Sequence, residues 1–456
     1  MQVQSGSGEY FTLLAAVFFL YWAFARARLP RLAVVLFANA VFCAHFGLFY
    51  VILIPACSTA DYLIGLGLMR FDRAATRKLL LGLSVAMNLT LLIGSRHAGA
   101  FLDHRWEWIF PLGLSFYTFQ SLSYTIDLYR RDEPGTRSLL TYLSAASFFP
   151  TLQAGPIARL TDLTQRLDFP KLNPARGGQA FFLIGMGLLK KALIADYLSE
   201  NLVNRVFDTP NLYSGVEVLL GVYAYSLQLY FDFSAYTDIA RGAGLLLGVE
   251  LPANFDRPYL SANIAEFWRR WHISFSNWLR DYLYFSLPGV RGKVLPYVNL
   301  VITMVIGGLW HGIAWTFAIW GLLHGLALAV VRGWQAWRGK GRESTAIGRA
   351  AAVFVTYQFV CLTWIFFRAG SVSNAMTILA RIGSLTGGVA NVSAWIAAVL
   401  ALASASIFFR KSWYLRAEEL FARSPFYVHA AGLAAIVVAL ELLGGRGSAP
   451  FVYSRF

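Results

Sequence analysis

One histidine stands in a setting that is unusual for an imidazole. His311 lies in the segment Gly307-Gly-Leu-Trp-His311-Gly, between two apolar runs of the 456-residue chain. Ionisable side chains within apolar stretches are costly, so they indicate function by default. A buried neutral imidazole can take a proton from a hydroxyl group, and the neighbouring glycines allow close approach of a partner helix or a substrate. Two interpretations remain open: a catalytic base, or a histidine hydrogen-bonded between helices.

A second polar group lies in residues 251–295, which carry too many charges to span a membrane. Helical periodicity runs from Ile264 to Leu287, and Asn263 followed by Glu266 predicts where this helix begins. Glu266 and Arg270 are spaced for an ion pair on adjacent turns. The sequence therefore predicts one amphipathic helix near 264–287.

Four polar side chains recur along this predicted helix at intervals of three or four residues, which places them on one face: Arg269, His272, Ser276 and Arg280. One interpretation is an interfacial helix anchored by its Trp and Arg residues. The other is a helix packed into the membrane domain that presents Arg and His to an anionic ligand. A plain anchor would not need His272, which favours the second interpretation.

The third group is the segment Gln228-Leu-Tyr-Phe-Asp232-Phe-Ser-Ala-Tyr-Thr-Asp238-Ile-Ala-Arg241. Carboxylates near a membrane core need partners. Asp238 and Arg241 are three residues apart and could pair locally, whereas Asp232 has only Gln228 nearby. A polar network between helices and a role in a site both remain open for Asp232.

Several familiar catalytic patterns are absent from the sequence. It contains no nucleotide-binding glycine fingerprint, P-loop, nucleophile elbow or paired-His zinc motif. We therefore expect no metal, and chemistry that depends on a histidine and on a donor already activated, such as a thioester. His324 follows His311 by thirteen residues, about 140° further around a continuous helix, so we predict that it is structural.

The elements that must position these residues are membrane helices. Hydrophobic residues make up 57% of the chain and charged residues 14%, and the mean hydropathy is +0.54. Soluble domains contain about 25% charged residues. The composition therefore predicts a polytopic, all-α integral membrane protein with a single membrane domain over residues 1–456.

A membrane span needs about 20 mostly apolar residues. Allowing for short runs that do not cross fully, we predict about eleven transmembrane helices. The apolar runs lie at 10–25, 32–54, 56–69, 79–95, 107–126, 139–154, 179–197, 214–233, 236–250, 296–312, 313–331, 350–368, 391–409 and 427–444.

The net charge of +15 comes from basic residues concentrated in short connectors between apolar runs. This arrangement follows the positive-inside rule, so it predicts orientation in a membrane and no nucleic-acid partner. With the basic connectors in the cytoplasm, both termini are expected outside.

Five segments resemble the membrane-bound O-acyltransferase (MBOAT) family in its bacterial polysaccharide branch, which includes alginate O-acetyltransferase membrane subunits. They occur in register along most of the chain, and the tail PFVYSRF is similar as well. The segments are PLGLSFYTFQSLSYTIDLYR (111–130), FPTLQAGPIAR (149–159), QLYFDFSAYTDIARG (228–242), NFDRPYLSANIAEFWRRWHISFSNWLRDYLY (254–284) and GGLWHGIAWTFAIWGLLHG (307–325).

The resemblance implies a ring of helices around a central funnel, with His311 as the catalytic histidine and His272 as the second histidine. It implies acetyl-CoA as the cytoplasmic donor, a polysaccharide acceptor, a periplasmic SGNH-type acetyltransferase partner, surrounding lipids, and a place in the bacterial inner membrane. His311 would assist deprotonation of the acceptor. We expect substrate contacts from Arg269, Ser276, Arg280, Asp232 and Trp310.

Other functions remain open at this point. D-alanyl transfer from a carrier protein to teichoic acid would use the same fold and both histidines. A transporter would contain as many apolar runs but often shows inverted repeats, which this sequence lacks. A scaffold of a polymer-secretion complex would use the polar sites for packing alone.

Overall fold

The structure, a computed structural model, describes residues 7–101, 113–170, 173–290, 292–339 and 345–443. Within these ranges the chain is helical and contains no β-strand, which confirms the predicted all-α class. Both chain ends, including the tail PFVYSRF, lie outside the described residues.

Twenty α-helices follow one another in the described ranges. They are α1 (Gly8–Ala23), α2 (Arg28–Phe46), α3 (Leu48–Arg70), α4 (Ala74–Phe101), α5 (Leu114–Arg130), α6 (Leu139–Ala146), α7 (Phe149–Leu152), α8 (Leu160–Asp168), α9 (Pro174–Leu189), α10 (Asn204–Asp208), α11 (Gly215–Leu246), α12 (Ile264–Arg270), α13 (Ile273–Trp278), α14 (Leu295–His311), α15 (Trp315–Arg338), α16 (Ala346–Arg368), α17 (Val372–Gly383), α18 (Ala394–Ile407), α19 (Lys411–Ala422) and α20 (Phe426–Leu443).

Short helical stretches of other types join some of these α-helices. The π-helical stretches are Lys190–Asp196, Ser199–Val203 and Leu279–Leu283. The 3₁₀ turns are Pro210–Leu212, Pro258–Leu260 and Tyr284–Ser286.

The chain divides into two compact units. The first unit comprises Met1–Gly187, Tyr236–Ala253 and Glu418–Ala431, and the second comprises Leu188–Ala235, Asn254–Ala417 and Gly432–Phe456. The single membrane domain over 1–456 stays a prediction.

Several helices are long and apolar enough to cross a membrane. In the described residues these are Arg28–Phe46, Leu48–Arg70, Ala74–Gly94, Trp315–Trp337 and Ala346–Arg368. The pair α18 and α19, bent by 94°, would make a sixth span. The chain is therefore a multi-pass membrane protein, and the number eleven stays a prediction.

Two predicted boundaries were wrong. The runs 32–54 and 56–69 are divided at Gly47 rather than near residue 55. Gly47 has a φ of +141°, a backbone angle that residues other than glycine rarely adopt, so the chain turns there. Pro55 lies inside α3, where a membrane helix tolerates it. Likewise, the runs 214–233 and 236–250 form the single helix α11.

The first unit contains a buried carboxylate that the sequence analysis did not single out. Asp61 of α3 is fully buried. Ser84 Oγ of α4 donates a hydrogen bond to its Oδ1 at 2.6 Å. Asn88 Nδ2 donates to Oδ2 at 2.8 Å, and Ser121 Oγ of α5 also donates to Oδ2. Asp61 thus joins three helices through neutral hydrogen-bond donors.

This network yields a prediction about stability. Asp61→Ala removes the acceptor of three buried donors, each costing about 1–3 kcal/mol when left unsatisfied, so we expect a loss of at least about 3 kcal/mol. Asp61→Asn keeps one acceptor oxygen, and its NH2 group can donate to Ser84, so its loss should be much smaller. Thermal unfolding in detergent measures both. Equal destabilisation by the two substitutions would contradict this account.

Candidate active site

The start of the predicted helix at 264–287 is confirmed. The Oδ1 atom of Asn263 accepts a hydrogen bond from the Glu266 backbone N–H at 2.9 Å, which caps α12. The expected pair on adjacent turns is also present, with Arg270 2.7 Å from Glu266. The cap fixes where the backbone enters the site region.

The prediction of one continuous helix over 264–287 was wrong. α12 ends at Arg270, and α13 begins at Ile273 after a break at Trp271 and His272. His272 has a left-handed backbone conformation with a φ of +41°. This conformation interrupts the 3.6-residue period, so residues before and after it do not share one helix face.

The polar residues of that predicted face have different environments. Arg269 is exposed, and Arg280 is exposed and paired with its neighbour Asp281 at 2.8 Å. Ser276 is half-buried, and its Oγ donates to the Trp271 carbonyl oxygen at 3.1 Å. His272 alone of the four predicted residues is buried.

Aromatic rings surround the His272 side chain. The ring of Phe233 from α11 meets it edge-on at 4.6 Å between centroids, and Phe275 stacks on it at 5.0 Å. Nδ1 lies 3.4 Å from Asn254 Oδ1. His272 is not part of any of the membrane-spanning helices found in the described residues. Burial lowers the pKa of His272 to about 3. The imidazole is therefore neutral at physiological pH.

His311 lies in a cage of aromatic rings at the last residue of α14. It is 3% exposed. The nearest centroids are those of Trp310 at 4.5 Å and Phe367 of α16 at 4.8 Å. Trp320 of α15 meets it edge-on at 5.4 Å. Side chains from three helices thus exclude water from the imidazole.

Phe275 connects the two histidines. Its ring stacks on His272 and, at 4.7 Å, on Trp310, and its centroid lies 6.1 Å from that of His311. Residues that are 39 positions apart in the sequence therefore meet around one phenylalanine. No motif or spacing in residues 264–287 indicated this position for Phe275.

The position of His311 relative to α15 is fixed by close packing of two helices. A Cβ atom on Gly308 would collide with the carbonyl oxygen of Phe317, and one on Gly321 with that of Met304. Gly308 therefore allows the close approach of a partner helix, which is one of the two possibilities that the sequence left open.

His324 is a structural histidine, as predicted. It is fully buried, and Trp268 Nε1 donates to its Nδ1 at 3.2 Å. Its Nε2 then carries the proton and donates to Thr363 Oγ1 at 2.9 Å. Both ring nitrogens are thus committed to neighbouring side chains.

Asp232 has a partner that the sequence analysis missed. Lys191 Nζ lies 2.9 Å from Asp232 Oδ1 and 2.6 Å from Asp196 Oδ1. Lys191 and Asp196 belong to the π-helical stretch Lys190–Asp196, and π-helical turns are frequent at functional sites. Because Lys191 is 41 residues from Asp232, no local spacing could have indicated this pair.

A cavity of about 710 Å³ lies beside α14 in the second unit. Its lining is mostly apolar but includes Ser276, Arg280 and Arg332. On α14, Leu300 and Met304 line the cavity and precede Gly307 and His311 at intervals of three or four residues. These four residues therefore share one side of the helix. The ligand-sized cavity and the caged histidine therefore lie on the same side of α14, although His311 does not itself line the cavity.

The fold and the site define a class: a multi-pass helical membrane protein with a buried histidine beside a cavity. The chain belongs to the MBOAT, membrane-bound O-acyltransferase family, whose sequence profile matches residues 48–367. It is therefore an acyltransferase, and the resemblance stated from its motifs is confirmed.

The names of similar proteins indicate the kind of acyl transfer. The chain is 37% identical over 381 residues to a probable alginate O-acetylase AlgI of Pseudomonas aeruginosa, covering 80% of this chain and 72% of that one. It is 33% identical over 409 residues to a peptidoglycan O-acetyltransferase of Helicobacter pylori, covering 81% and 77%. A teichoic acid D-alanyltransferase of Streptococcus thermophilus is 30% identical over 284 residues, covering 56% and 68%.

The low pKa of His272 yields a prediction about acid stability. The unfolded state binds a proton on this side chain below about pH 6.5, whereas the folded state does not until the pH approaches about 3. Acidification below about pH 6.5 therefore favours unfolding. We expect the melting temperature of His272→Gln to fall less steeply on acidification than that of the wild type. Parallel pH dependences would contradict the buried neutral imidazole.

Proposed function

We propose that the chain transfers an acetyl group from acetyl-CoA for the O-acetylation of an extracytoplasmic polysaccharide. The observation that carries the proposal is the buried imidazole of His311, caged by aromatic rings on the same side of α14 as a cavity. The names of the O-acetylating relatives favour acetyl over D-alanyl transfer, since these relatives are aligned over more of the chain.

In the proposed mechanism, His311 acts as the general base. The imidazole takes the proton of the attacking hydroxyl, and the hydroxyl oxygen attacks the thioester carbonyl carbon. The C–O bond of the ester forms as the C–S bond breaks, and the proton passes to the departing CoA sulfur. His272, which also packs on Phe275, orients the acceptor.

The aromatic cage supports this role for physical reasons. Rings from three helices hold the His311 side chain in one place and exclude the water that would hydrolyse a thioester. Trp310 contacts His311 directly and stacks on Phe275, which in turn packs on His272. No metal is needed for this proton transfer. In the described ranges, no three His, Cys, Asp or Glu side chains are grouped to hold one.

The cavity is the proposed donor site. Arg280 and Arg332 line it and are both exposed, so their guanidinium groups can reach the phosphates of CoA. The Arg332 side chain is already oriented, because it donates to the Tyr284 hydroxyl at 2.9 Å. The apolar part of the lining suits the pantetheine arm, whose thioester would lie toward His311. Arg269 does not line this cavity, and Asp232 pairs with Lys191, so their expected substrate contacts have no support from the geometry.

We place the protein in the bacterial inner membrane, with both termini outside. The donor then meets the basic, cytoplasmic side. Hydroxyl groups of a polymer lie on the opposite side, so the acetyl group must cross. A periplasmic SGNH-type acetyltransferase that completes transfer to the polymer is the proposed partner.

The first prediction from this mechanism concerns His311. His311→Ala should lower acetyl transfer by at least about 10²-fold, the usual contribution of a general base. Transfer of radiolabelled acetyl from acetyl-CoA is measured with purified protein in nanodiscs, with the acceptor or partner supplied and CoA release followed in parallel. His45→Ala replaces an exposed histidine and should leave the rate unchanged.

The outcomes separate the alternative functions. Wild-type turnover in His311→Ala would refute the catalytic base and favour a scaffold. Transfer only from an alanylated carrier protein would show the D-alanyl activity. No transfer from either donor, with folded protein and a suitable partner present, would favour a transporter or scaffold.

The second prediction concerns the donor site. Arg280→Ala or Arg332→Ala should raise KM for acetyl-CoA about five- to tenfold, because each removes an exposed charge from the phosphate-binding end. Arg423→Ala, which breaks an exposed pair with Glu419 and removes no residue of the cavity lining, is the control. An unchanged KM in both cavity variants would refute donor binding there.

A further inference from the structure

Asn254 contacts three consecutive residues at the break before α13. It is fully buried. Its backbone carbonyl accepts from Ile273 N–H at 2.9 Å, and its Oδ1 accepts from Ser274 N–H at 3.1 Å and Ser274 Oγ at 2.7 Å. The third contact is with His272, whose Nδ1 lies 3.4 Å from the same Oδ1.

These bonds replace the N-cap that α13 would otherwise need. A helix begins with unsatisfied backbone N–H groups, and the side chain at the N-cap position usually accepts from one of them. His272 occupies that position but makes no capping bond. Asn254 satisfies the N–H groups of Ile273 and Ser274 instead, so α13 is capped without the side chain of His272.

The same bonds settle the orientation of the Asn254 amide and the tautomer of His272. A backbone N–H can only donate, so the Asn254 atom that faces Ser274 must be the oxygen. An amide oxygen can only accept, so the His272 nitrogen facing it must carry the proton. His272 is therefore the Nδ1–H tautomer, and its Nε2 carries the lone pair.

The Asn254 hydrogen bonds also stabilise an unfavourable backbone conformation at His272. A left-handed conformation costs a residue other than glycine about 1 kcal/mol or more. His272 adopts it with a φ of +41°. The residue before it, Trp271, packs on Phe255, and the residue after it, Ile273, is bonded to Asn254. The Asn254 contacts to Ile273 and Ser274 fix the chain directly after the strained residue.

We propose that Asn254 is the positioning residue of the second histidine. It holds the His272 ring in the Nδ1–H tautomer, so that Nε2 accepts a hydrogen bond from the hydroxyl group of the acceptor. The catalytic part of this proposal rests on the proposed acyl transfer. The tautomer does not.

The tautomer is tested first, without any activity measurement. The chain contains seven histidines, and ¹⁵N-histidine spectra of the wild type in nanodiscs resolve Nδ1–H from Nε2–H forms. His272 signals are assigned by their loss in His272→Gln. We expect the Nδ1–H form. An Nε2–H form in the wild type would overturn the proposal, whether or not acetyl transfer is detected.

The second test is a double-mutant cycle on acetyl transfer. Asn254→Ala should lower the rate about tenfold or more in the wild type but by less than about twofold in a His272→Ala background, because it acts through that ring. Independent effects that multiply in the double variant would overturn the proposal. A failure of His272→Ala itself to lower the rate would instead contradict the proposed function.

Two further variants separate positioning from folding. Asn254→Asp keeps an acceptor oxygen for Ser274 and His272, so it should retain more activity than Asn254→Ala and keep the Nδ1–H signal. Asn299→Ala removes another buried asparagine of the second unit, whose Nδ2 donates to the Pro288 carbonyl oxygen at 3.0 Å and which does not line the cavity. It should leave the rate and the His272 signals unchanged. Loss of the Nδ1–H form in Asn254→Asp would overturn the role of the oxygen.

Discussion

The packing of the Phe275 ring between His272 and Trp310 is the contact on which the geometry of the candidate site depends. One ring ties the irregular segment after α12 to the end of α14. Since packed aromatic rings keep their centroids about 4.5–7 Å apart, the Phe275 ring sets the spacing between the two imidazoles.

The membrane environment and the helical class could be predicted from the sequence, because composition indicates both. An imidazole between glycines in an apolar run made His311 a candidate, and its burial agrees with that setting; its catalytic role stays a prediction. Helix boundaries were less predictable where a single residue decides them. Gly47 divides two spans inside an uninterrupted apolar run, whereas Pro55 does not, because the bilayer favours continued hydrogen bonding along α3.

The remaining misses have a common physical cause. The Lys191 partner of Asp232, the Asn254 partner of His272 and the Asp61 network all join residues that are distant in sequence. Periodicity reports only which residues share a face of one helix. The break at His272 is a related case, because the left-handed residue is stabilised from outside its own helix, and no pattern within 264–287 encodes that support.

The surroundings of His311 and the lining of the cavity differ in charge. The groups around His311 are aromatic and uncharged, whereas Arg280 and Arg332 are exposed at the cavity lining. A donor with a phosphorylated end and a neutral reactive end would match this difference, with its phosphates at the arginines and its reactive end at His311. Under the proposed mechanism, the charged end of the donor would be bound where water still screens charge, and the acyl group would react where water is excluded.

The glycine contacts between α14 and α15 bear on how this scaffold can diversify. Because Gly308 and Gly321 lie against the facing backbone, α14 and α15 have no space for a side chain at these two positions. A change in the length of acyl chain that the protein accepts would therefore have to come from side chains that line the cavity, such as Leu279 and Leu300. Natural variants and engineered ones could therefore differ in the side chains of the cavity lining, while the glycine contacts between α14 and α15 keep His311 in position.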